Sequence, residues 1–152
     1  MRISCRTLFD WLLPLLWMLV IFSASSDAGS AKHSSRMFVP LMHWLFPHMA
    51  DVRIEHFHVW FRKCGHLTEF GVFGLLLWRA IRHASADCHP PWQWSQAGLA
   101  MLLVTIYAAS DEFHQTFVPG RTGLISDVVI DASGAAIGLS LLWLGGKLLR
   151  RW

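Results

Sequence analysis

The sequence contains little charge for a protein of its length. Only 15% of the 152 residues are Asp, Glu, Lys or Arg, whereas 54% are hydrophobic and nine are tryptophans. Soluble domains carry about 25% charged residues and about 45–50% apolar residues. The composition therefore excludes an ordinary soluble domain and indicates a chain that is built for a lipid environment.

Cysteine is also scarce, and the usual catalytic motifs are missing. The three cysteines, Cys5, Cys64 and Cys88, form neither an even-numbered set nor a CxxC motif, which argues against a disulfide scaffold and a cysteine metal site. The sequence has no internal repeat and no low-complexity tract. It contains no HExxH motif and no serine-nucleophile motif, so no recognised catalytic pattern is present.

What the sequence does have is long apolar runs. Four of them approach the roughly 20 residues that a helix needs to cross a bilayer. Backbone in hydrocarbon must satisfy its hydrogen bonds internally, which favours helices. We therefore predict an all-α integral membrane protein, a four-transmembrane-helix bundle that occupies the single domain 1–152. The predicted spans are 8–24, 64–81, 94–109 and 128–149.

The first run is open to a second interpretation. Arg2 and Arg6 precede a short apolar core, and "SASSDAGSA" follows with small residues, which is the pattern of a cleaved signal peptide. Asp10, where a basic flank is expected, and Pro14 within the run favour a retained span instead. Both alternatives stay open, and we predict the retained span.

The segment between the first two runs is polar at its start and aromatic later. After the turn-rich loop "SSDAGSAKHSSR", residues 37–61 contain two prolines and are too interrupted to span a bilayer. Aromatic residues are typical of headgroup depth, so we predict that 37–61 lies on the outer membrane interface. Its histidines have no fixed ligand spacing, and we interpret them as part of an amphipathic surface rather than as metal ligands. They are His43, His48, His56 and His58.

Lysine and arginine residues set the predicted orientation. With four spans, seven of the 13 basic residues fall on the side of the termini and six on the other side, so the count alone decides little. The basic tail "KLLRRW" decides it. We predict that both termini are cytoplasmic and that the polar stretch 109–134 lies on the outer face.

Polar residues gather where the spans begin and end. Lys63, His66 and Glu69 follow one another at one-turn spacing at the entrance to the second span. The polar residues at the end of the third span and the start of the fourth are Ser110, Asp111, Glu112, His114, Gln115, Arg121, Asp127 and Asp131. Burying such groups separately in lipid costs on the order of a few kcal/mol each. We therefore predict that six of them lie at one membrane level on the outer side: Lys63, His66, Asp111, His114, Arg121 and Asp127. Gly134 and Gly138 form a GxxxG motif, which we interpret as close helix packing within the bundle rather than as a dimer contact.

Three blocks of the sequence resemble the VanZ-like family of small membrane proteins, and they occur in the family's order. The blocks are "FSASS", "KCGHLTEFGVFG" and "SDEFHQTFVPGRTGLISDVVIDASGAAIG". The resemblance implies a polytopic protein of the cell envelope. The family's namesake is associated with low-level resistance to the glycopeptide teicoplanin, but no agreed biochemical activity comes with the family. Glu69 departs from the family pattern and is a lesser candidate. The positions that match the family's motifs are Lys63, His66, Ser110, Asp111, Glu112, His114, Gln115, Arg121, Asp127 and Gly134.

Three function classes are compatible with these residues. We rank binding first and transport or a structural role third. For binding, Lys63 and Arg121 would hold an anionic group of an envelope lipid or a cell-wall-related ligand in an outward-facing pocket, with the acids and Gln115 orienting it. A small proton-coupled transporter or a structural membrane protein is the third class, with Glu69 and Asp131 as the proton relay.

The second class is a membrane-embedded hydrolase or transferase that acts on an envelope lipid. In that alternative His66 or His114 is the general base, and Asp111 or Glu112 fixes its tautomer or holds a divalent cation. No cofactor is firmly predicted. The lipid bilayer is the expected partner, nucleic acid is not, and a monomer is favoured over a homodimer.

Overall fold

The computed structural model describes residues 5–26, 31–84, 91–119 and 121–151. Within these residues the chain is all-α and contains no strand, which confirms the all-α part of the predicted fold class. The described residues form five helices, one more than the number of predicted spans. The helices are α1 (Cys5–Ser25), α2 (Ala31–Leu45), α3 (Asp51–Ala84), α4 (Trp94–Gln115) and α5 (Ile125–Leu148).

The additional helix α2 and the first turns of α3 lie in the segment between the first two predicted spans. The sequence predicts a loop for "SSDAGSAKHSSR", but α2 begins at Ala31, within that stretch. α3 begins at Asp51 and continues unbroken into the predicted second span, because residues 51–64 contain neither proline nor glycine. Pro47 lies in the short turn between the two helices.

α2 packs on the N-terminal part of α3 and, in the described part of the chain, on no other helix. Ser34 Oγ lies 2.8 Å from His58 Nε2. The Phe38 ring lies 5.1 Å from the His58 ring and 5.3 Å from the Phe61 ring, measured between centroids. Burial and the charge of Arg62 lower the pKa of His58, so this ring is neutral at pH 7 and needs no counter-charge in the contact.

α3 is the longest helix and the scaffold of the fold. Its 34 residues extend over about 51 Å at 1.5 Å per residue, beyond the roughly 30 Å of a bilayer's hydrocarbon core. It contacts α1, α4 and α5 as well as α2, and α4 also contacts α1 and α5. Two hydrogen bonds to backbone oxygens hold α1 in place: Trp17 Nε1 donates to Glu69 O (2.9 Å), and Tyr107 Oη donates to Met18 O (2.7 Å).

Glycines let α3 and α5 approach closely. A Cβ on Gly134 would overlap the carbonyl oxygen of Leu67, and a Cβ on Gly138 would lie 3.1 Å from the carbonyl oxygen of Gly71. The GxxxG pair therefore makes its close contact within the chain, as the sequence predicts. This contact brings the polar start of α5 beside the middle of α3.

The start of α1 carries a buried ionic cluster. The Asp10 side chain is fully buried; its Oδ1 lies 2.9 Å from Arg79 Nη2 and its Oδ2 lies 2.7 Å from His83 Nδ1. At the same end of the bundle, Arg82 stacks over Trp78 at 5.0 Å from the ring centroid. In the sequence, Asp10 indicates only a retained first span. Its pairing with His83 has no local signal, because His83 lies 73 residues further along the chain.

α5 is the one helix in the described part of the chain that is both long and apolar enough to cross a membrane. The apolar part of α1, Phe9–Ser25, is shorter. α3 and α4 include charged and polar side chains in or beside their apolar parts, which lowers their mean hydropathy. At the level of the fold, the four-span bundle therefore stays a prediction.

Candidate functional site

Four segments of the chain meet at one end of the bundle: the end of α1, the middle of α3, the end of α4 and the start of α5. α1 and α4 run toward this end, and α3 and α5 run away from it. Residues that are far apart in the sequence become neighbours there. Contacts at this end involve Ser25, Lys63, His66, Asp111, Glu112, Gln115, Arg121, Asp127 and Asp131.

Gln115 lies at the centre of a buried hydrogen-bond network, the Gln115 network, at the end of α4. Its Nε2 donates to Asp111 Oδ2 (2.9 Å) and to Glu112 Oε1 (3.1 Å). Ser25 Oγ donates to the same Asp111 oxygen (2.6 Å), which ties α1 to α4. Asp111 and Gln115 are one turn apart and are both buried, because this ridge of α4 faces the bundle.

Arg121 joins the Gln115 network from the loop between α4 and α5. Its Nη1 donates to Gln115 Oε1 (3.3 Å), and its Nη2 donates to the carbonyl oxygens of Ala24 (2.5 Å) and Ser26 (3.4 Å). Burial and the positive charge of Arg62 lower the pKa of Arg121, but a guanidinium stays protonated at pH 7. Arg121 therefore holds the end of α1 against the loop.

Glu112 connects the same network to the start of α5. Its Oε2 accepts a hydrogen bond from the backbone N–H of Leu124 (2.9 Å), the residue that precedes the first turn of α5. Gly123 packs against α4, where a Cβ would overlap the backbone oxygen of Glu112. These two contacts fix the loop and therefore the positions of Asp127 and Asp131 at the start of α5.

Two pairs of facing side chains, each a basic residue and a carboxylate, link α3 to α5. His66 Nδ1 lies 3.4 Å from Asp131 Oδ1, and Lys63 Nζ lies 3.9 Å from Asp127 Oδ1. The members of the two pairs are about one turn apart on their helices, so the pairs are stacked along the helix contact. The Asp131 side chain is fully buried, whereas Lys63 and Asp127 are partly exposed. The pairs therefore lead from the mouth of the bundle into its interior.

Two cavities lie among these side chains. The first is between α3 and α5 and has a volume of about 210 Å³. The second is between the end of α1, α3 and the α4–α5 loop and has a volume of about 160 Å³. Arg62 and His66 line both cavities. The other charged residues in the walls are Lys63, Asp127 and Asp131 in the first cavity, and Glu69 and Arg121 in the second.

Two residues of the predicted site, Ser110 and His114, lie on another ridge of α4. Ser110 Oγ donates to Tyr107 O (2.7 Å), and Ser110 lines an apolar groove. The His114 ring stacks on Phe22 of α1, with 4.7 Å between the ring centroids. This ridge faces α1 rather than the Gln115 network. A binding or catalytic role for Ser110 and His114 stays a prediction.

The comparison with known families covers all of these elements. The family model of VanZ/LLP1 matches residues 9–148, nearly the whole chain. The chain belongs to the VanZ/LLP1 family. Proteins of this family are generally membrane proteins, in agreement with the apolar helix α5. No curated protein and no solved structure gives a significant match.

The VanZ/LLP1 match includes three polar residues of this end that are not among the predicted site residues. Ser25 belongs to the "FSASS" block, and Asp131 is predicted only as a polar residue at the start of the fourth span and as a candidate relay. Arg62 is passed over in favour of its neighbour Lys63. A spacing signal exists for two of them: Arg62 is four residues before His66, and Asp131 is four residues after Asp127. No local signal identifies Ser25, whose partner Asp111 is 86 residues away.

Proposed function

We propose that this VanZ/LLP1 protein is a multi-pass membrane protein of the cell envelope that binds an anionic envelope lipid or a cell-wall-related ligand in the two polar cavities. The observation that carries the proposal is the position of Arg62. It lines both cavities and forms no hydrogen bond or ion pair with another described residue. A guanidinium whose donors no described residue occupies suits the bidentate recognition of phosphate or carboxylate.

Membrane insertion is supported by the outer surface of the bundle. Large apolar side chains on α1, α4 and α5 face outward, where a soluble domain would have polar residues. They include Leu15, Leu19, Leu102, Ile106, Ile137 and Leu141. We assign the four spans to α1, the C-terminal part of α3, α4 and α5.

α2 and the first turns of α3 are placed on the outer membrane interface. α3 is longer than a bilayer's hydrocarbon core is thick, so its N-terminal part extends beyond it together with α2. Exposed aromatic residues on this part, Trp44, Phe57 and Trp60, are of the type that occupies headgroup depth.

The basic residues at the ends of α3 and α5, above all those of the C-terminal tail, support an outward-facing site. Arg79 and Arg82 near the end of α3, and Lys147 near the end of α5, lie at the end of the bundle that is opposite the cavities. Arg150 and Arg151 follow α5. Basic residues next to spans favour the cytoplasmic side. The termini are then cytoplasmic, and the cavities open to the outside.

An amphiphilic ligand is favoured over a small soluble anion. An apolar groove of about 280 Å³ lies between α1, α3 and α4. Its lining includes Leu15, Ile106 and Ser110, the residue before Asp111. A groove of this kind suits an acyl or isoprenoid chain whose headgroup lies near the polar end of the bundle. Binding an envelope lipid or a cell-wall precursor would connect the protein to glycopeptide (teicoplanin) tolerance.

An enzyme that acts on an envelope lipid is the second candidate function, and one contact favours it. His66 lies 3.4 Å from Asp131 in the wall of the first cavity, an arrangement that suits a general base and its orienting carboxylate. Turnover of a lipid by the purified protein, abolished in His66→Gln, would place the protein in this class. The proton-relay function ranks third, because the two carboxylates of the relay do not share a cavity: Asp131 lines the first and Glu69 the second.

The binding proposal is tested with purified protein in a neutral detergent. Dioctanoyl phosphatidylglycerol and its neutral counterpart dioctanoyl phosphatidylcholine are titrated, and bound lipid is counted by native mass spectrometry. We expect the anionic lipid to bind more tightly. Because a charge-assisted hydrogen bond contributes about 1.5–3 kcal/mol, Arg62→Gln should weaken that binding by roughly 10- to 100-fold.

Arg151→Gln is the matched control, since it removes one exposed arginine at the opposite end of the bundle. It should bind both lipids as the wild-type protein does. In cells, Arg62→Gln should accumulate normally but lose any teicoplanin tolerance that expression of the wild-type protein confers. Equal affinity for the two headgroups, or equal losses in Arg62→Gln and Arg151→Gln, would contradict the proposal.

A further inference from the structure

We infer that His66, Glu112 and Asp131 bind a divalent transition-metal ion, Zn²⁺ or Mn²⁺. These residues come from three helices, α3, α4 and α5, and meet where the Gln115 network adjoins the His66–Asp131 pair. One potential ligand atom from each lies within 4.8 Å of those from the other two. The site goes beyond the proposed binding of an anionic lipid, because it requires no ligand other than the ion.

The size of the cluster fits a first coordination shell. Two ligands at about 2.0–2.1 Å from a tetrahedral ion are roughly 3.4 Å apart, which is the distance between His66 Nδ1 and Asp131 Oδ1. The limit of 4.8 Å for the whole group exceeds the roughly 4.1 Å between opposite ligands of an octahedral ion. Binding one ion therefore requires the three ligand atoms to approach one another slightly, while the Glu112 oxygens keep their hydrogen bonds to Gln115 and Leu124.

Hydrogen bonding provides an independent reason for a cation at this place. Both carboxylate oxygens of Asp131 and Nδ1 of His66 are buried; apart from the 3.4 Å contact between Nδ1 and Oδ1, they lie near no hydrogen-bond partner among the described residues. The Asp131 side chain is 0% exposed and lies in the wall of the 210 Å³ cavity. Leaving a buried carboxylate without donors costs several kcal/mol. A metal ion between these atoms would coordinate His66 and Asp131 together.

The balance of charge leads to the same conclusion. Among the described side chains at this end of the bundle, five carboxyl groups stand against three arginine and lysine side chains, so a bound cation would offset the excess of acidic groups. The carboxylates interact electrostatically with one another or with His66 and Arg121. The groups counted are Glu69, Asp111, Glu112, Asp127 and Asp131 on one side, and Arg62, Lys63 and Arg121 on the other.

The donor set selects the class of ion. One imidazole nitrogen and two carboxylates suit Zn²⁺ or Mn²⁺ better than Mg²⁺, which prefers oxygen ligands and retains its water molecules. Three protein ligands leave at least one coordination position for another group. Because His66 and Asp131 line the first cavity, an anion held by Arg62 or Lys63 there would lie next to the ion.

The experiment measures metal binding without any lipid ligand. The full-length protein, carrying a tag without histidine, is purified in detergent, stripped with EDTA and reloaded with Mn²⁺ or Zn²⁺. Its metal content after gel filtration should be one ion per chain. Asp131→Asn and His66→Gln should weaken Mn²⁺ binding by more than the roughly 10- to 100-fold that follows loss of an outer-shell partner.

Asp51→Asn is the matched control: it removes an exposed carboxylate that also pairs with a histidine, His43 Nε2 at 3.1 Å. It should bind Mn²⁺ as the wild-type protein does. Pulsed electron paramagnetic resonance of Mn²⁺ in the wild-type protein should show coupling to an imidazole ¹⁴N, a result that does not depend on whether a variant folds. The absence of a stoichiometric ion, the absence of ¹⁴N coupling, or unchanged affinity in folded Asp131→Asn would each overturn the inference. The lipid titration with Arg62→Gln is scored separately, so failure of one proposal leaves the other testable.

Discussion

Two arginines at the polar end of the bundle have different surroundings. Arg121 donates to Gln115 Oε1 and to the carbonyl oxygens of Ala24 and Ser26, so its donors are used within the protein. Arg62 has no such partner among the described residues and lines both cavities. From the sequence alone, Arg121 and Lys63 are the predicted anion-binding residues. The contacts favour Arg62 for a bound anion and make Arg121 mainly a clamp between α1 and the α4–α5 loop.

Replacing Arg121 by lysine should test this division of roles. A lysine keeps the charge, but a single ammonium lacks the planar fork that reaches Gln115 and the Ala24 carbonyl group at the same time. We expect Arg121→Lys to lower the free energy of unfolding by about 1–3 kcal/mol, because buried acceptors lose a charged donor. The measurement is thermal unfolding in detergent, followed by circular dichroism.

Arg151→Lys is the control for Arg121→Lys, because Arg151 follows the last helix and is exposed. It should unfold at the wild-type temperature. If Arg121→Lys were as stable as the wild-type protein, the guanidinium fork would not hold α1 in place, and Arg121 would again be available for a ligand.

At the scale of the helices, the contact between α3 and α5 positions the His66–Asp131 and Lys63–Asp127 pairs. It depends on Gly134, which packs directly against the backbone of α3 at Leu67. A side chain there cannot be accommodated by a rotamer change, because the atom that it would meet is a carbonyl oxygen. The helices would have to separate, and the members of each side-chain pair would move apart with them.

A pair of glycine substitutions measures the importance of this contact. Gly134→Ala should destabilise the protein by about 1–3 kcal/mol, the usual cost of overpacking. Gly145→Ala lies on the same helix with no atom within 4 Å of the new Cβ, and it should be neutral or stabilise by roughly 0.5–1 kcal/mol through helix propensity. Both are measured by thermal unfolding of the purified protein. Equal unfolding temperatures for the two variants would show that close packing at Gly134 does not hold α3 and α5 together.

Hydropathy predicts some of the helices and misses others. The apolar centres of α1, α4 and α5 agree with three predicted spans to within a few residues at most ends. α2 and the first turns of α3 are not predicted as helices, because charged, histidine and aromatic residues alternate there without one long apolar run. Hydropathy measures how well a segment suits a lipid environment. A helix requires only residues that allow helical backbone angles and a surface to pack on, as α2 packs on α3.

At the scale of the whole molecule, the two ends of the bundle have different chemistry. One end has the ionic cluster of Asp10 with Arg79 and His83, and the other has the two polar cavities, whose walls carry both basic and acidic side chains. At the cavity end, residue spacing predicts contacts between side chains that are one turn apart on the same helix, such as Asp111 with Gln115. Contacts between distant segments, such as Ser25 with Asp111 across 86 residues, depend on how α1 packs and cannot be predicted from one sequence.

Cysteine labelling across an intact membrane tests the central claim, that the cavity end of the bundle faces outward. Thr122 is exposed beside Arg121 and is suited to a label, whereas Gly123 is packed against α4. In a background with the native cysteines replaced by serine, Thr122→Cys should react with a membrane-impermeant maleimide in spheroplasts whose membrane is intact. Arg151→Cys, at the other end, should react only after the membrane is permeabilised. Labelling of Arg151→Cys but not Thr122→Cys in intact spheroplasts would place the cavities on the cytoplasmic side and contradict the account.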